Sequence, residues 1–154
     1  MRMDRLFART WLLCAVLDGI YATALAVAQG GSGTDLWRFV ASGPFGDGAK
    51  AWGSGGVLAG LITHFAIMAA LVAGGFLLAH RSQIGTFAPW KAGTLYGLII
   101  YGIMYGIVLQ ARFGIPFPNP DKLKVALGLF PHIALVGIPI FALARREMNT
   151  SAAA

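Results

Sequence analysis

The sequence predicts an all-α membrane protein: four transmembrane helices paired as two parallel-repeat helical hairpins, with a short interfacial helix between helices 1 and 2. Three observations carry that expectation. Hydrophobic residues make up 57% of the chain and charged residues 12%, with a mean hydropathy of +0.70, which leaves too little polar surface to cover a water-soluble domain of 154 residues. Four apolar stretches each approach the ~20 residues that ~30 Å of hydrocarbon demands. The segment Gly60-Leu61-Ile62-Thr63-His64-Phe65-Ala66-Ile67 recurs as Gly128-Leu129-Phe130-Pro131-His132-Ile133-Ala134-Leu135, so one histidine is placed twice in matching apolar surroundings.

The first span covers residues 7–29. Arg2, Arg5 and Arg9 ahead of it, with Ala26-Val27-Ala28 near its end, imitate a secretory signal. The apolar run is too long for that and Asp18 interrupts it, so the segment reads as a retained helix. In the connection 30–54, Thr34 can cap a short helix in which Leu36, Trp37, Phe39 and Val40 cluster, and Gly43-Pro44 ends it. Span two covers 55–80. Span three, 90–112, carries Gly93-x-x-x-Gly97 and Gly102-x-x-x-Gly106 on nearly opposite faces, which fits close packing against two neighbours. Pro116, Pro118 and Pro120 make the connection 113–123 stiff and extended. Span four, 124–144, is bent by Pro131 and Pro139, whose freed carbonyls need water or hydroxyl partners. The whole chain, 1–154, is one transmembrane domain.

Charge placement sets an expected topology. Arg2, Arg5, Arg9, Arg81, Lys91, Arg145 and Arg146 fall on one side, against Arg38, Lys50, Arg112, Lys122 and Lys124 on the other. That bias puts both termini in the cytoplasm, with Trp11 and Trp90 as inner and Trp37 and Trp52 as outer interface anchors. The +6 net charge therefore belongs to topology and not to nucleic-acid binding. Cys14, the single cysteine, forms no intrachain disulfide and suits helix packing.

If the histidine segments are equivalent, spans two and four run in the same direction, and the halves are related by an axis along the membrane normal. Asp18-Gly19-Ile20 then aligns best on Tyr101-Gly102-Ile103. At ~1.5 Å of rise per residue, Asp18, His64 and His132 lie within about one helical turn of a common level near mid-depth. An isolated Asp there costs ~2.5–3.5 kcal/mol on insertion scales, whereas an Asp beside a histidine can share a proton. The three are expected to form an interior cluster, with Tyr21, Tyr101 and Tyr105 as hydrogen-bonding partners. Gly60 and Gly128, each four residues before its histidine, leave a flat gap for a neighbouring helix backbone or a planar cofactor. His80, beside Arg81 at a helix end, reads as an interfacial residue without a site role.

The chain has no cysteine pair, no His-Glu-x-x-His, no glycine-rich phosphate loop and no serine nucleophile elbow, so no enzyme or metal site is expected. The leading expectation is a midplane Asp18/His64/His132 site for proton-linked movement of a small solute or ion, in a homo-oligomer because four helices seldom enclose a pathway. Two alternatives stand beside it: haem b ligated by His64 and His132, or an accessory subunit of a larger membrane complex. The bland reading of either histidine is a neutral imidazole gluing helices through a backbone carbonyl.

The short helix after span one, the histidine in span two, Leu95-Tyr96-Gly97 in span three and Pro131-His132 with Gly137-x-Pro139 in span four resemble the layout of YagU-like small bacterial inner-membrane proteins. That resemblance implies an inner-membrane location.

Overall fold

A computed structural model describes residues 2–152, with side chains placed for 4–148. Among the described residues there are five helices and no strand. They are α1 (Arg2–Ala28), α2 (Gly33–Phe45), α3 (Ser54–Arg81), α4 (Pro89–Phe113) and α5 (Lys122–Met148). Four of them, α1, α3, α4 and α5, are long and apolar enough to cross a membrane. The short helix expected between the first two spans is α2.

Local chemistry explains the helix ends. Ser32, two residues before the expected Thr34, caps α2 by accepting from the Asp35 N–H at 3.1 Å. Pro89 starts α4, where its missing N–H costs nothing. Gly114, at φ +66°, closes α4 in the left-handed conformation that a side chain would strain. Asp121 caps α5 through the Leu123 and Lys124 amides.

Long side chains and missing ones together hold the bundle. In the half nearer the chain termini, Met68, Val72, Phe76, Tyr96, Ile100, Val136, Ile140 and Phe141 form a buried apolar plug around Cys14. Where α4 meets α5, the backbones touch: a Cβ on Gly93 would lie 2.5 Å from Ile138 Cα, and one on Gly97 2.6 Å from the His132 carbonyl oxygen. The second glycine pair of α4 behaves differently from its expected role. Gly102 faces open space and Gly106 receives the Phe117 ring of the proline loop at 3.2 Å, so neither packs on a second helix.

Two tryptophans also depart from their expected places. Trp11 is a bridge between helices and not an interface anchor, its Nε1–H donating to the Phe65 carbonyl of α3 at 2.8 Å. Trp37 turns inward and packs edge-on against His64, with ring centroids 5.3 Å apart. The reason is the seat that α3 offers to α2. Cβ atoms on Gly56 and Gly60, one turn apart, would collide with the Ala49 and Trp37 carbonyl oxygens, so only glycine lets α2 and its following turn lie this close. At its other end α2 is held by Arg112 of α4, which donates to the Ser42 carbonyl at 2.8 Å and the Gly43 carbonyl at 3.1 Å. Both carbonyls belong to the last turn of α2, where helical partners run out, and Ser42 O also accepts the Gly46 N–H at 3.1 Å.

Candidate functional site

The site begins with a proline. Pro131 has no N–H to give to the Leu127 carbonyl one turn earlier, and a carbonyl left bare in hydrocarbon costs several kcal/mol on the order of magnitude set by transfer into an apolar medium. The Tyr21 hydroxyl of α1 supplies the missing donor, reaching Leu127 O at 2.9 Å. Residues Pro131–Gly137 continue in wide π turns, as does Met104–Leu109 in α4, and these two irregular stretches carry His132 and Tyr105. Wide turns of this kind recur at functional sites.

His132 bonds back to its own helix. Its Nδ1 lies 2.7 Å from the Gly128 carbonyl, which can only accept, so Nδ1 carries the hydrogen and Nε2 is left bare. Tyr101 and Tyr105 stack on each other with centroids 4.5 Å apart and present their edges to the imidazole at 6.0 and 5.9 Å. The room beside Gly128 is filled by these two rings, whose nearest atoms lie 3.0 Å from where a Cβ on that glycine would sit.

His64 instead reaches across to α1. Its Nε2 lies 2.9 Å from the Ala15 carbonyl, so here Nε2 carries the hydrogen, and Nδ1 faces Asp18 Oδ2 at 3.9 Å. The two side chains are only 11% and 16% exposed. At 3.9 Å the two groups are too far apart for a direct hydrogen bond, and the pair is uncharged as a unit in two forms, a protonated Asp18 beside a neutral imidazole or a carboxylate beside an imidazolium. Both forms are neutral overall, which is the arrangement that hydrocarbon tolerates.

Asp18, Tyr21, His64, Tyr105 and His132 line one cavity of ≈220 Å³. All the expected binding or relay residues but Tyr101 are thus brought together, and Tyr101 stands behind, against His132 and Tyr105. Counting ~1.5 Å per residue from the middles of α1, α3 and α5, the cluster sits about 3–5 Å from mid-helix toward the α2 end. Leu36, Trp37 and Val40 of α2 form the wall on that side. Sequence reasoning did not include these three among the site residues, nor the apolar Leu25, Met104, Leu109 and Leu127 that also line the cavity. The signal for the α2 residues was present, since Leu36 and Val40 are one turn apart on α2 and Gly56 and Gly60 one turn apart on α3.

Outside the span, Arg112 also approaches Asp47 at 3.5 Å, and Lys50 donates to Asp47 at 2.8 Å. The Lys50 hydrogen bond first, then the Arg112 charge, hold the exposed Asp47 carboxyl below the usual carboxylate range.

A haem fits these residues poorly. The flat gap expected at Gly60 is taken by the Trp37 backbone and that at Gly128 by two tyrosines, while His64 Nε2 is engaged by Ala15. A cavity of ≈220 Å³ is below even the ~300–1,000 Å³ of ordinary small-molecule pockets. The glycines serve close packing. Among the described residues no group of three His, Cys, Asp or Glu side chains is placed to hold a metal ion.

Asp18 beside His64 and Tyr101 beside His132 occupy the positions that the alignment of Asp18-Gly19-Ile20 on Tyr101-Gly102-Ile103 pairs. Compared with family models, with curated proteins and with solved structures, the chain matches none.

Proposed function

We propose that this multi-pass membrane protein uses the Asp18–His64 pair, with His132, as a proton-holding ligand site for proton-linked movement of a small solute. The observation that carries the reading is the half-enclosed Asp18 carboxyl 3.9 Å from His64 Nδ1, with Nε2 of the same ring tied to the Ala15 carbonyl. A ligand that accepts or donates a hydrogen bond there changes which partner holds the proton, and binding is thereby linked to protonation. The positive-inside bias supports cytoplasmic termini, and the resemblance of the layout to YagU-like proteins supports a bacterial inner membrane.

The buried plug around Cys14 and Val72 separates the cavity from the end of the bundle that carries the termini. Movement of a solute past it requires the helices to shift, and a homo-oligomer in which neighbouring copies brace α3 against α5 is the arrangement we propose for it. The test is proton flux into vesicles carrying the reconstituted protein and a trapped pH dye, driven by an imposed potassium diffusion potential. Wild-type protein should conduct, and Asp18→Asn should lower the rate at least about tenfold, the weight of ~1.4 kcal/mol in a proton-transfer equilibrium. Equal rates in wild type and variant sink the reading.

A further inference from the structure

The cavity that holds Asp18 is short of hydrogen-bond donors. Among the described residues none lies within bonding distance of the Asp18 carboxyl, which is 16% exposed and has His64 Nδ1 at 3.9 Å as its polar neighbour. The bare nitrogens of the two imidazoles, Nδ1 of His64 and Nε2 of His132, make no hydrogen bond among the described residues either. Tyr21 spends its hydroxyl hydrogen on the Leu127 carbonyl. Against two carboxyl oxygens and two ring nitrogens that accept, the described lining offers two side-chain donors, the Tyr105 hydroxyl and the Trp37 indole N–H.

Acceptors left bare at this depth cost kilocalories, and a carboxylate costs the most. A donor-rich cation answers both needs. Bound to the Asp18 carboxylate beside a neutral His64, it leaves the site uncharged as a unit, as do the two protonated forms of the pair, so one cation entering releases one proton. The titratable groups that line the cavity with the carboxyl are His64 of α3, Tyr105 of α4 and His132 of α5, with Tyr21 on its own helix, while α2 brings Leu36, Trp37 and Val40, none of which titrates.

We infer that the solute is a small primary ammonium ion, whose three N–H groups match in number the carboxyl and the two bare nitrogens. This deepens the reading of the Asp18–His64 cavity as a ligand site for proton-linked movement and rests on it. Size is set by the ≈220 Å³ of the cavity, which at ~30 Å³ for a water-sized group admits an ion of a few heavy atoms. The remaining lining suits the remaining parts of the ion. Aromatic rings such as those of Trp37 and Tyr105 attract a cation within about 6 Å, and Leu25, Met104 and Leu127 offer apolar contact to a short alkyl group. A hard metal ion fits less well, because it asks for a shell of oxygens and half of these acceptors are nitrogens. A quaternary ammonium has no N–H to give, and an organic anion meets mostly acceptors.

The test is a titration of the whole chain, histidine-labelled with nitrogen-15 and held in phosphatidylcholine bilayers at neutral pH, with methylammonium chloride. His64 Nδ1 and His132 Nε2 should shift together and saturably as they accept hydrogens from the ion. Tetramethylammonium and acetate should leave both signals in place at the same concentrations. Asp18→Asn keeps the shape of the side chain and removes the counter-charge, and should weaken the methylammonium affinity at least about tenfold, read at His132 Nε2.

Absence of a saturable shift, an equal shift with tetramethylammonium, or an unchanged affinity in Asp18→Asn overturns the inference. A saturable shift with acetate overturns it as well, since the cavity would then carry protonated imidazoles and take an anion. Saturable methylammonium binding together with proton flux that Asp18→Asn leaves unchanged retains the ammonium site and removes transport. Flux lost in Asp18→Asn without methylammonium binding retains proton movement and removes the ammonium ion.

Discussion

The two histidine segments begin alike and end in different work. His64 ties its ring to another helix and turns its free nitrogen to a carboxylate, whereas His132 ties its ring to its own helix and packs it at a steep angle against two tyrosines. The glycine before each follows suit, Gly60 admitting the backbone of α2 and Gly128 the side chains of α4. The difference teaches that a repeated sequence element specifies a depth and a face, while its chemistry is specified by what the partner helix brings to that level. Helix α1 brings Asp18 and helix α4 brings Tyr101.

The largest expected effect separates the glycines. An alanine Cβ at position 60 would lie 1.8 Å from the Trp37 carbonyl oxygen, and backbone cannot swing aside, so Gly60→Ala should cost about 3 kcal/mol and detach α2. At Gly128 the obstructing atoms belong to tyrosine rings 3.0 Å away, and Gly128→Ala should cost about 1 kcal/mol. Unfolding in mixed detergent micelles measures both, and equal losses would erase the distinction between the segments.

Next come the histidines themselves. His64→Ala leaves Asp18 with no base in hydrocarbon, at about 2.5–3.5 kcal/mol, and His132→Ala loses one local hydrogen bond worth about 1 kcal/mol. The same unfolding measurement checks the pairing: the additional substitution Asp18→Asn should restore the stability of His64→Ala and do nothing for His132→Ala. Tyr21→Phe sharpens the role of the proline: it orphans the Leu127 carbonyl and should cost about 1–3 kcal/mol. Replacing Pro131 by alanine in the same chain returns an amide to that carbonyl and should recover most of the loss.

The smallest effect is at the clamp on α2. Asp47 is held below its ordinary range in the folded protein, so its share of the clamp is complete above the unfolded value of ~3.9 and fades only as pH falls through the lower folded value. Tryptophan fluorescence should therefore show α2 loosening slightly in acid and not at neutral pH, and Asp47→Asn should show the loosened signal at every pH.

Much of this was legible in the sequence because hydrocarbon imposes few solutions. Span lengths, the short helix, the common level of Asp18, His64 and His132, and the need of Pro131's freed carbonyl for a hydroxyl all follow from the cost of bare polar groups in lipid. The inward turn of Trp37 was not legible. Trp is equally at home at an interface and against a ring, and only the register of α2 on Gly56 and Gly60 selects between them. Gly102 illustrates the converse limit: a small-xxx-small spacing marks where helices can approach, and no neighbour takes up this one. The same is true of Arg112, read as a topological charge until the last-turn carbonyls of Ser42 and Gly43 are seen within its reach.

Nitrogen-15 NMR of histidine-labelled protein in bilayers tests the division of work between the two rings most directly. The expected result is that His64 carries its hydrogen on Nε2 and its Nδ1 signal moves on Asp18→Asn, while His132 carries its hydrogen on Nδ1 and is unmoved by that substitution. A His64 Nδ1 signal that is the same in wild type and Asp18→Asn would contradict the account, because the carboxyl would then have no part in the site.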